Sequence, residues 1–403
     1  MSGVSENRNI VLGITGSIAA YKAAELARLF VSRGYTVRTI MTQSAQEFIT
    51  PLTLQSVTGN VVMTDFWESA QPQNIEHIEI ADWAHAIVVA PATADLVARM
   101  AHGLADTPLL ATLLATRAPI VLAPAMNVNM FEHAATQENI TVLRKRGIHF
   151  VDPEEGALAC GWNGTGRLAD PWEIFYNVRR YLAKGDMTGK RVLISTGPTR
   201  EPIDPVRFIS NRSSGKMGVA LAQEAFVRGA DVTLVHGPVS VKKVPDSVRR
   251  IPVTTAVEMH AAVLQEYGAE PYDVVIMAAA VADYRPKYVA EDKIKRREFK
   301  DRIEMVENPD ILLDLGKQRK DSKRPVLVGF AVETGEIDEL LEQARDKMKR
   351  KQTDLIIGNF ASDAFDLDTN HVWMLDRTGR QEEVATTFKS RVANRILDAV
   401  LRL

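Results

Sequence analysis

Apolar and polar positions alternate along the chain in the same way at two places. Asn9 to Leu12 is an apolar run of strand length that enters the tight turn Gly13-Ile14-Thr15-Gly16-Ser17. Helical spacing follows from Ile18 to Arg33, stops at Gly34 and gives way to a second apolar run from Thr36 to Met41. Near the middle, the run that starts at Arg191 enters a Gly/Pro/Thr loop at Gly197-Pro198-Thr199. An Ala-rich helical pattern from Val219 to Arg228 then ends at Gly229, before another apolar run from Asp231 to Val235. Each stretch predicts a strand, a crossover helix and a parallel strand. Further strands are expected at Ala86 to Ala90 and Ile120 to Ala123 in the first half, and at Asp273 to Met277, Val326 to Phe330 and His371 to Leu375 in the second. Helices are expected at Asp338 to Lys351 and Lys389 to Leu401. The fold class predicted is α/β, with two Rossmann-like domains built on parallel sheets. The short polar stretch from Ala183 to Gly189 is the expected break, giving domains 1–189 and 190–403.

In such a sheet the turns leaving the strands share one edge, where helix N-termini can meet a ligand. On the first edge fall Gly16, Ser17, Thr42, the turn Pro91-Ala92-Thr93-Ala94-Asp95 and the stretch Pro124-Ala125-Met126-Asn127-Val128-Asn129-Met130. On the second fall Ile209-Ser210-Asn211-Arg212-Ser213-Ser214-Gly215-Lys216-Met217-Gly218 and the small-residue run Ala278-Ala279-Ala280-Val281-Ala282-Asp283. Capping explains one or two of these polar residues, but not the whole central loop. Gly215-Lys216 is followed by Met217 rather than Ser or Thr, and neither half holds G-x-G-x-x-G. An ordinary P-loop and a two-domain NAD-linked oxidoreductase are both disfavoured.

With 403 residues, 46% of them hydrophobic, the chain can bury two cores. A net charge of −2 gives no general attraction to nucleic acid or membrane. One cysteine excludes an intrachain disulfide and suits a reducing cytoplasm. No run approaches the ~20 apolar residues of a membrane span, and the N-terminus lacks the regions of a signal peptide. Three side chains merit a functional reading beside the ordinary one. His77 could titrate near neutral pH, although a lone histidine is more often a surface or hydrogen-bonded residue. Cys160 lies among glycines in Cys160-Gly161-Trp162-Asn163-Gly164-Thr165-Gly166-Arg167 rather than in an apolar stripe, which favours a used thiol over a small buried hydrophobe. Lys347 and Lys351 share a helix face at i, i+4, where a solvated pair near the C-terminus is the usual reading.

These residues carry a resemblance. The run Gly13 to Lys22, His77, the Pro124 to Met130 stretch and the Cys160 loop together resemble the FMN-dependent cysteine decarboxylases. Ile209 to Gly218 resembles phosphopantothenate–cysteine ligase. In this order on one chain they resemble the bifunctional phosphopantothenoylcysteine decarboxylase/phosphopantothenate–cysteine ligase family of bacterial coenzyme A biosynthesis, over almost the whole length.

For the first half the resemblance implies FMN held by Gly16, Ser17, Thr42, Ala92, Thr93 and Ala94. The flavin takes a hydride from the cysteine moiety and returns it after CO2 has left. Asn127 holds the substrate carboxylate, His77 is the base and Cys160 protonates the enethiol. For the second half it implies CTP held by Met277, Ala278, Ala279, Asp283, Asn308, Pro309, Asp310, Ile311 and Phe330. Lys293, Lys347 and Lys351 neutralise the phosphates, with Mg2+ bridging them. Asn211 and Lys293 carry the ligase chemistry, through an acyl-cytidylate. The family also implies a homo-oligomer, with trimeric contacts through the first half, dimeric contacts through the second and a dodecamer as one outcome. The substrates are 4'-phosphopantothenate, cysteine and CTP. Three positions depart from the common pattern: Asp95 for Asn, Trp162-Asn163 for an acidic residue, and Phe360 for the acidic residue that often follows Asn359. A non-catalytic regulatory flavoprotein of the same fold is the alternative, and retention of His77, Asn127 and Cys160 argues for an enzyme.

Overall fold

The computed structural model describes residues 8–66, 76–157, 161–240, 243–295, 302–319, 322, 324–333, 336–360 and 367–403. Two compact units, Met1–Lys184 and Gly185–Leu403, divide the chain.

In the first unit six strands form one sheet: β1 (Asn9–Ile14), β2 (Thr36–Met41), β3 (Val62–Met63), β4 (Ala86–Ala92), β5 (Ile120–Pro124) and β6 (His149–Phe150). They are ordered β3-β2-β1-β4-β5-β6, and every pairing is parallel. Because helices cover both faces, β4 and β5 are buried at every residue and β1 at all but its first. Helices begin where the sequence supplies a cap. The side chains of Thr42, Thr93, Thr107 and Asp170 accept backbone N–H groups, and Pro108 and Pro171 open their helices. A separate antiparallel hairpin, β7 (Glu154–Ala157) and β8 (Asn163–Arg167), lies beside this sheet in the sequence.

The second unit repeats the plan with more strands: β9 (Arg191–Thr196), β10 (Arg200–Pro202), β11 (Phe208–Ser210), β12 (Asp231–His236), β13 (Arg249–Pro252), β14 (Val274–Met277), β15 (Tyr284–Pro286), β16 (Met305–Glu307), β17 (Val326–Glu333), β18 (Leu355–Phe360), β19 (Thr369–Asp376) and β20 (Gln381–Phe388). The main sheet runs β13-β12-β9-β14-β17-β18-β19-β20. Its first six strands are parallel, whereas β19 and β20 pair antiparallel. The pattern of apolar positions does not announce β20, because Val384 alone among its residues is buried. The polar stretches after β9 and β14, expected as loops, each contain a short antiparallel pair of their own, β10 with β11 and β15 with β16. Leu193, Val235, Met259, Val263, Val275 and Leu327 pack together inside this unit. Burial of each such side chain stabilises by about 1.5–3 kcal/mol.

In both units strand order reverses beside the first strand, between β1 and β4 and between β9 and β14. The loops leaving these neighbours turn to opposite faces and open a crevice at the carboxyl edge. Among the described residues no helix is long and apolar enough to cross a membrane.

Candidate active sites

At the first crevice, one buried hydroxyl ties the two flanking turns together. Thr15 Oγ1 donates to the Pro91 carbonyl at 2.8 Å and accepts from the Thr93 N–H at 3.1 Å. Gly16 lies against the short helix Gln43–Gln46 that follows β2, since a Cβ there would stand 2.5 Å from Ser44 Cβ. Ser17, Thr42 and Thr93 each accept a backbone N–H, from Ala19, Ala45 and Leu96 at 3.3, 3.3 and 3.4 Å. A hydroxyl that accepts in this way keeps its own proton to donate. Ala92 is fully buried at the end of β4. The predicted cofactor residues of the β1 and β4 turns are thus brought to one edge, along with Thr42 after β2.

Asn127 follows β5 and caps the helix Val128–Glu132, its Oδ1 accepting from Asn129 N at 2.9 Å. The hairpin is fastened to the same stretch: Met126 N donates to Gly166 O at 3.0 Å, and a Cβ on Gly166 would lie 2.2 Å from Met126 O. Cys160 lies outside the described residues, between the two hairpin strands in sequence. His77 stands half-buried on the helix Glu76–Trp83, its ring edge-on to Phe66 at 5.4 Å. Asp95 is exposed and pairs with Arg99, which also binds Asp106. Trp162 is likewise exposed.

The second crevice holds a cavity of about 930 Å³, within the range of small-molecule sites. Asn211, Met277, Asp283, Asn308, Asp310 and Phe330 line it, with Ala278, Ala279, Pro309, Ile311, Lys347 and Lys351. Two close approaches shape its floor. A Cβ on Gly218 would meet Thr196 Oγ1 at 2.3 Å, and Thr196 Oγ1 donates to Gly215 O at 2.8 Å. Asn211 bridges the loops after β9 and β14, its Nδ2 donating to Val281 O at 3.0 Å and Ala280 O at 3.4 Å. Asn308 Nδ2 donates to Ala282 O at 2.8 Å, which holds the Asp283 turn.

Lys347 and Lys351 do share one face, but that face lines the cavity. Lys347 Nζ donates to the Phe330 carbonyl at 2.6 Å. Burial, reinforced by the neighbouring charge of Lys351, pushes its ammonium down to about 8. Lys351 pairs with Asp310 at 2.8 Å. Burial opposes the charge on Asp310, yet Lys351 and the Leu313 N–H outweigh it and hold the carboxyl below the usual carboxylate range. Lys293 is exposed and is not among the lining residues. The adjoining Arg296 and Arg297 lie outside the described residues.

Sequence reasoning passed over Lys389, Asn359 and Asn370 as parts of this site, although all three are buried and line the cavity. Lys389 donates to Leu367 O. A cation at the first position of a helix opposes the helix dipole, and that misfit was the available signal. Among the described residues no cluster of three or more His, Cys, Asp or Glu side chains could hold a metal ion.

Comparison with known proteins matches each half of the chain to a family. Residues 2–182 match the flavoprotein family, and residues 187–403 match the DNA/pantothenate metabolism flavoprotein C-terminal domain. The chain is 45% identical over 398 residues to the coenzyme A biosynthesis bifunctional protein CoaBC of Vibrio cholerae, covering 98% of each. It is 43% identical over 403 residues to that of Bacillus subtilis, covering 98% of this chain and 97% of the relative. Among solved structures, the C-terminal domain of a CoaBC protein is 39% identical, covers 54% of this chain and 97% of its own, and has a TM-score of 0.46. An FMN-binding protein, AtHal3, is 32% identical, covers 43% and 96%, and has a TM-score of 0.40. The regulatory alternative is not favoured, since the near-full-length relatives are biosynthetic. The chain therefore belongs to the family of bifunctional coenzyme A biosynthesis proteins, which unite phosphopantothenoylcysteine decarboxylase and phosphopantothenate–cysteine ligase activities in one polypeptide.

Proposed function

We propose that the two crevices divide the work: the β9/β14 cavity joins cysteine to 4'-phosphopantothenate with CTP, and the β1/β4 crevice decarboxylates the product with FMN. The observation that carries this reading is the recurrence of one switch point, each lined with its own polar set.

In the first unit, the hydroxyl protons of Ser17, Thr42 and Thr93 suit a phosphate-bearing flavin, and Gly16 leaves the backbone room for it. FMN, when bound, would supply the two-electron oxidation that turns the cysteine thiol into a thiocarbonyl, and sulfur in that oxidised substrate would accept the electrons left behind as CO2 departs. Asn127 presents its amide to that carboxylate, His77 removes a proton, and Cys160 returns one to the enethiol. In the second unit, the Met277–Ala279 segment, Asp283, Asn308–Ile311 and Phe330 hold CTP. Lys347 spends one of its three N–H donors on Phe330, which leaves two for phosphate oxygens. Lys351 contributes once Asp310 shares it. Mg2+ would arrive with the phosphates, a mode that needs no all-protein cage. Lys293 swings toward the α-phosphate as pyrophosphate leaves, and Asn211 exchanges its longer bond, to the Ala280 carbonyl, for one to the acyl oxygen when the cysteine amine adds. Domains 1–189 and 190–403, a cytoplasmic setting and a homo-oligomer, trimeric through the first half and dimeric through the second, complete the reading.

Incubation with phosphopantothenate, cysteine and each nucleoside triphosphate, followed by mass analysis, tests it directly. Phosphopantetheine and CMP are the expected products; their absence, or equal turnover with ATP in place of CTP, overturns the assignment.

A further inference from the structure

We infer that Asp204 is a positioning residue for the ligase, fastening the backbone that carries Lys293 to the turn that leads into Asn211. This rests on the reading above, in which Lys293 acts on the α-phosphate. Asp204 lies between β10 and β11, and its carboxylate is shut off from solvent. Oδ1 accepts from Val206 N and Arg207 N, both at 2.8 Å. Those two bonds complete an Asx-type turn, and a turn needs no more. Oδ2, however, accepts from Arg207 Nε at 2.9 Å, from Arg207 Nη2 at 2.5 Å and from Ile294 N at 3.3 Å, 90 residues further along the chain.

The same Nη2 donates to the Ile294 carbonyl at 2.6 Å, so both backbone groups of Ile294 are held by one ion pair. Ile203 accepts from Ala290 N at 3.0 Å and secures the near end of the segment. Burial alone would favour the neutral acid, but Arg207 and the three N–H groups keep Asp204 charged, well below the usual carboxylate range. From this turn β11 runs directly to Asn211. One carboxylate thereby sets the spacing between the amide assigned to the acyl oxygen and the ammonium assigned to the phosphate. Because Lys293 does not line the cavity, the starting point of its flexible side chain decides whether the charge arrives. Displacement of a positioned group by about 1 Å costs on the order of 10²-fold in rate.

The test uses the full-length enzyme. Asp204→Asn keeps an oxygen for the turn but turns an NH2 toward Arg207 and Ile294 N–H. Pyrophosphate release should slow by about 10²-fold with the KM for CTP little changed, which reports an intact second unit, while decarboxylation of supplied phosphopantothenoylcysteine in the first unit persists. Hydrogen exchange at Ile294 should quicken. In a Lys293→Gln background the same substitution should add nothing, because a residue acting through Lys293 has no further effect once it is gone. Additive losses, a raised KM at unchanged kcat, or unaltered exchange at Ile294 each overturn the inference. If Lys293→Gln alone leaves pyrophosphate release intact, the role of Lys293 is wrong, and exchange at Ile294 still decides whether Asp204 is the clasp. Should Asp204→Asn fail to fold, Asp204→Glu, which keeps the charge at a longer reach, carries the same measurements with a smaller loss.

Discussion

Lys347 Nζ donates to the Phe330 carbonyl at 2.6 Å beside the β9/β14 cavity, and burial pushes its ammonium down to about 8 from the ordinary value of 10.5. Two consequences follow from the sign of that shift. In the ligand-free protein the unfolded chain holds this proton between about pH 8 and 10.5 while the native amine has released it, so stability rises with pH across that window. Nucleotide affinity moves the other way, since phosphate attracts only the charged form. Above pH 8 the KM for CTP should rise by up to about tenfold per pH unit, and Lys347→Met should flatten both profiles. A KM that stays constant from pH 7 to 9.5 in the wild-type enzyme refutes this.

Thr15→Val keeps the shape of a buried side chain and deletes both hydrogen bonds across the first crevice. Leaving the Thr93 N–H and Pro91 carbonyl without that partner should cost about 1–3 kcal/mol. Thermal melting reads that loss, and flavin titration should show weaker FMN binding because the two turns are no longer tied. Ligase activity should not change.

Gly166→Ala places a methyl group 2.2 Å from Met126 O, so the hairpin must move away from the stretch that carries Asn127. Forced overpacking of this kind typically costs about 1–3 kcal/mol. Decarboxylation should fall steeply while CTP-dependent ligation continues. Equal loss of both activities in a folded variant counts against the hairpin as part of the decarboxylase site.

Cys160→Ser should still release CO2 but stall at the enethiol, whereas His77→Asn should block the earlier step. General acid and base groups contribute about 10²- to 10⁴-fold, so gas release and product mass separate the variants readily. If both substitutions abolish CO2 release, or neither does, the two residues do not have separate roles.

Lys293→Gln should fail to release pyrophosphate, while Asn211→Asp should release it and accumulate the acyl-cytidylate. The new carboxylate opposes an oxyanion where a neutral donor is needed, and loss of one such donor costs ~10²–10³ in rate. Mass spectrometry of quenched reactions distinguishes the two, and the reverse pattern shows the roles exchanged.

Much of the architecture was legible because it depends on local pattern. Uninterrupted apolar runs at β1, β4 and β5 announce strands covered on both faces, and the glycine stops at Gly34 and Gly229 mark helix ends. Thr42 and Thr93 were legible as polar residues at strand ends, whereas the helices they cap were not expected from the sequence. The strands β10, β11 and β20 were not, because pairing with a distant or adjacent segment makes them strands while their own residues carry no apolar alternation.

By itself the sequence determined that two α/β units follow one another, that their polar turns gather at strand ends, and which family the ordered motifs belong to. Tertiary structure alone decided which of those polar groups work together. It reversed the strand order beside β1 and β9 and so opened a crevice in each unit. It also drew Lys347 and Lys351, which by spacing were equally a solvated pair, against Phe330 and Asp310. Lys389 was added to the same cavity from the far end of the chain, and the Lys293 segment was fastened to Asp204. The physical reason is one of range. Periodicity and capping act over a few residues and can be read along the chain. Burial, desolvation and ion pairing depend on which distant segments the sheet order makes neighbours.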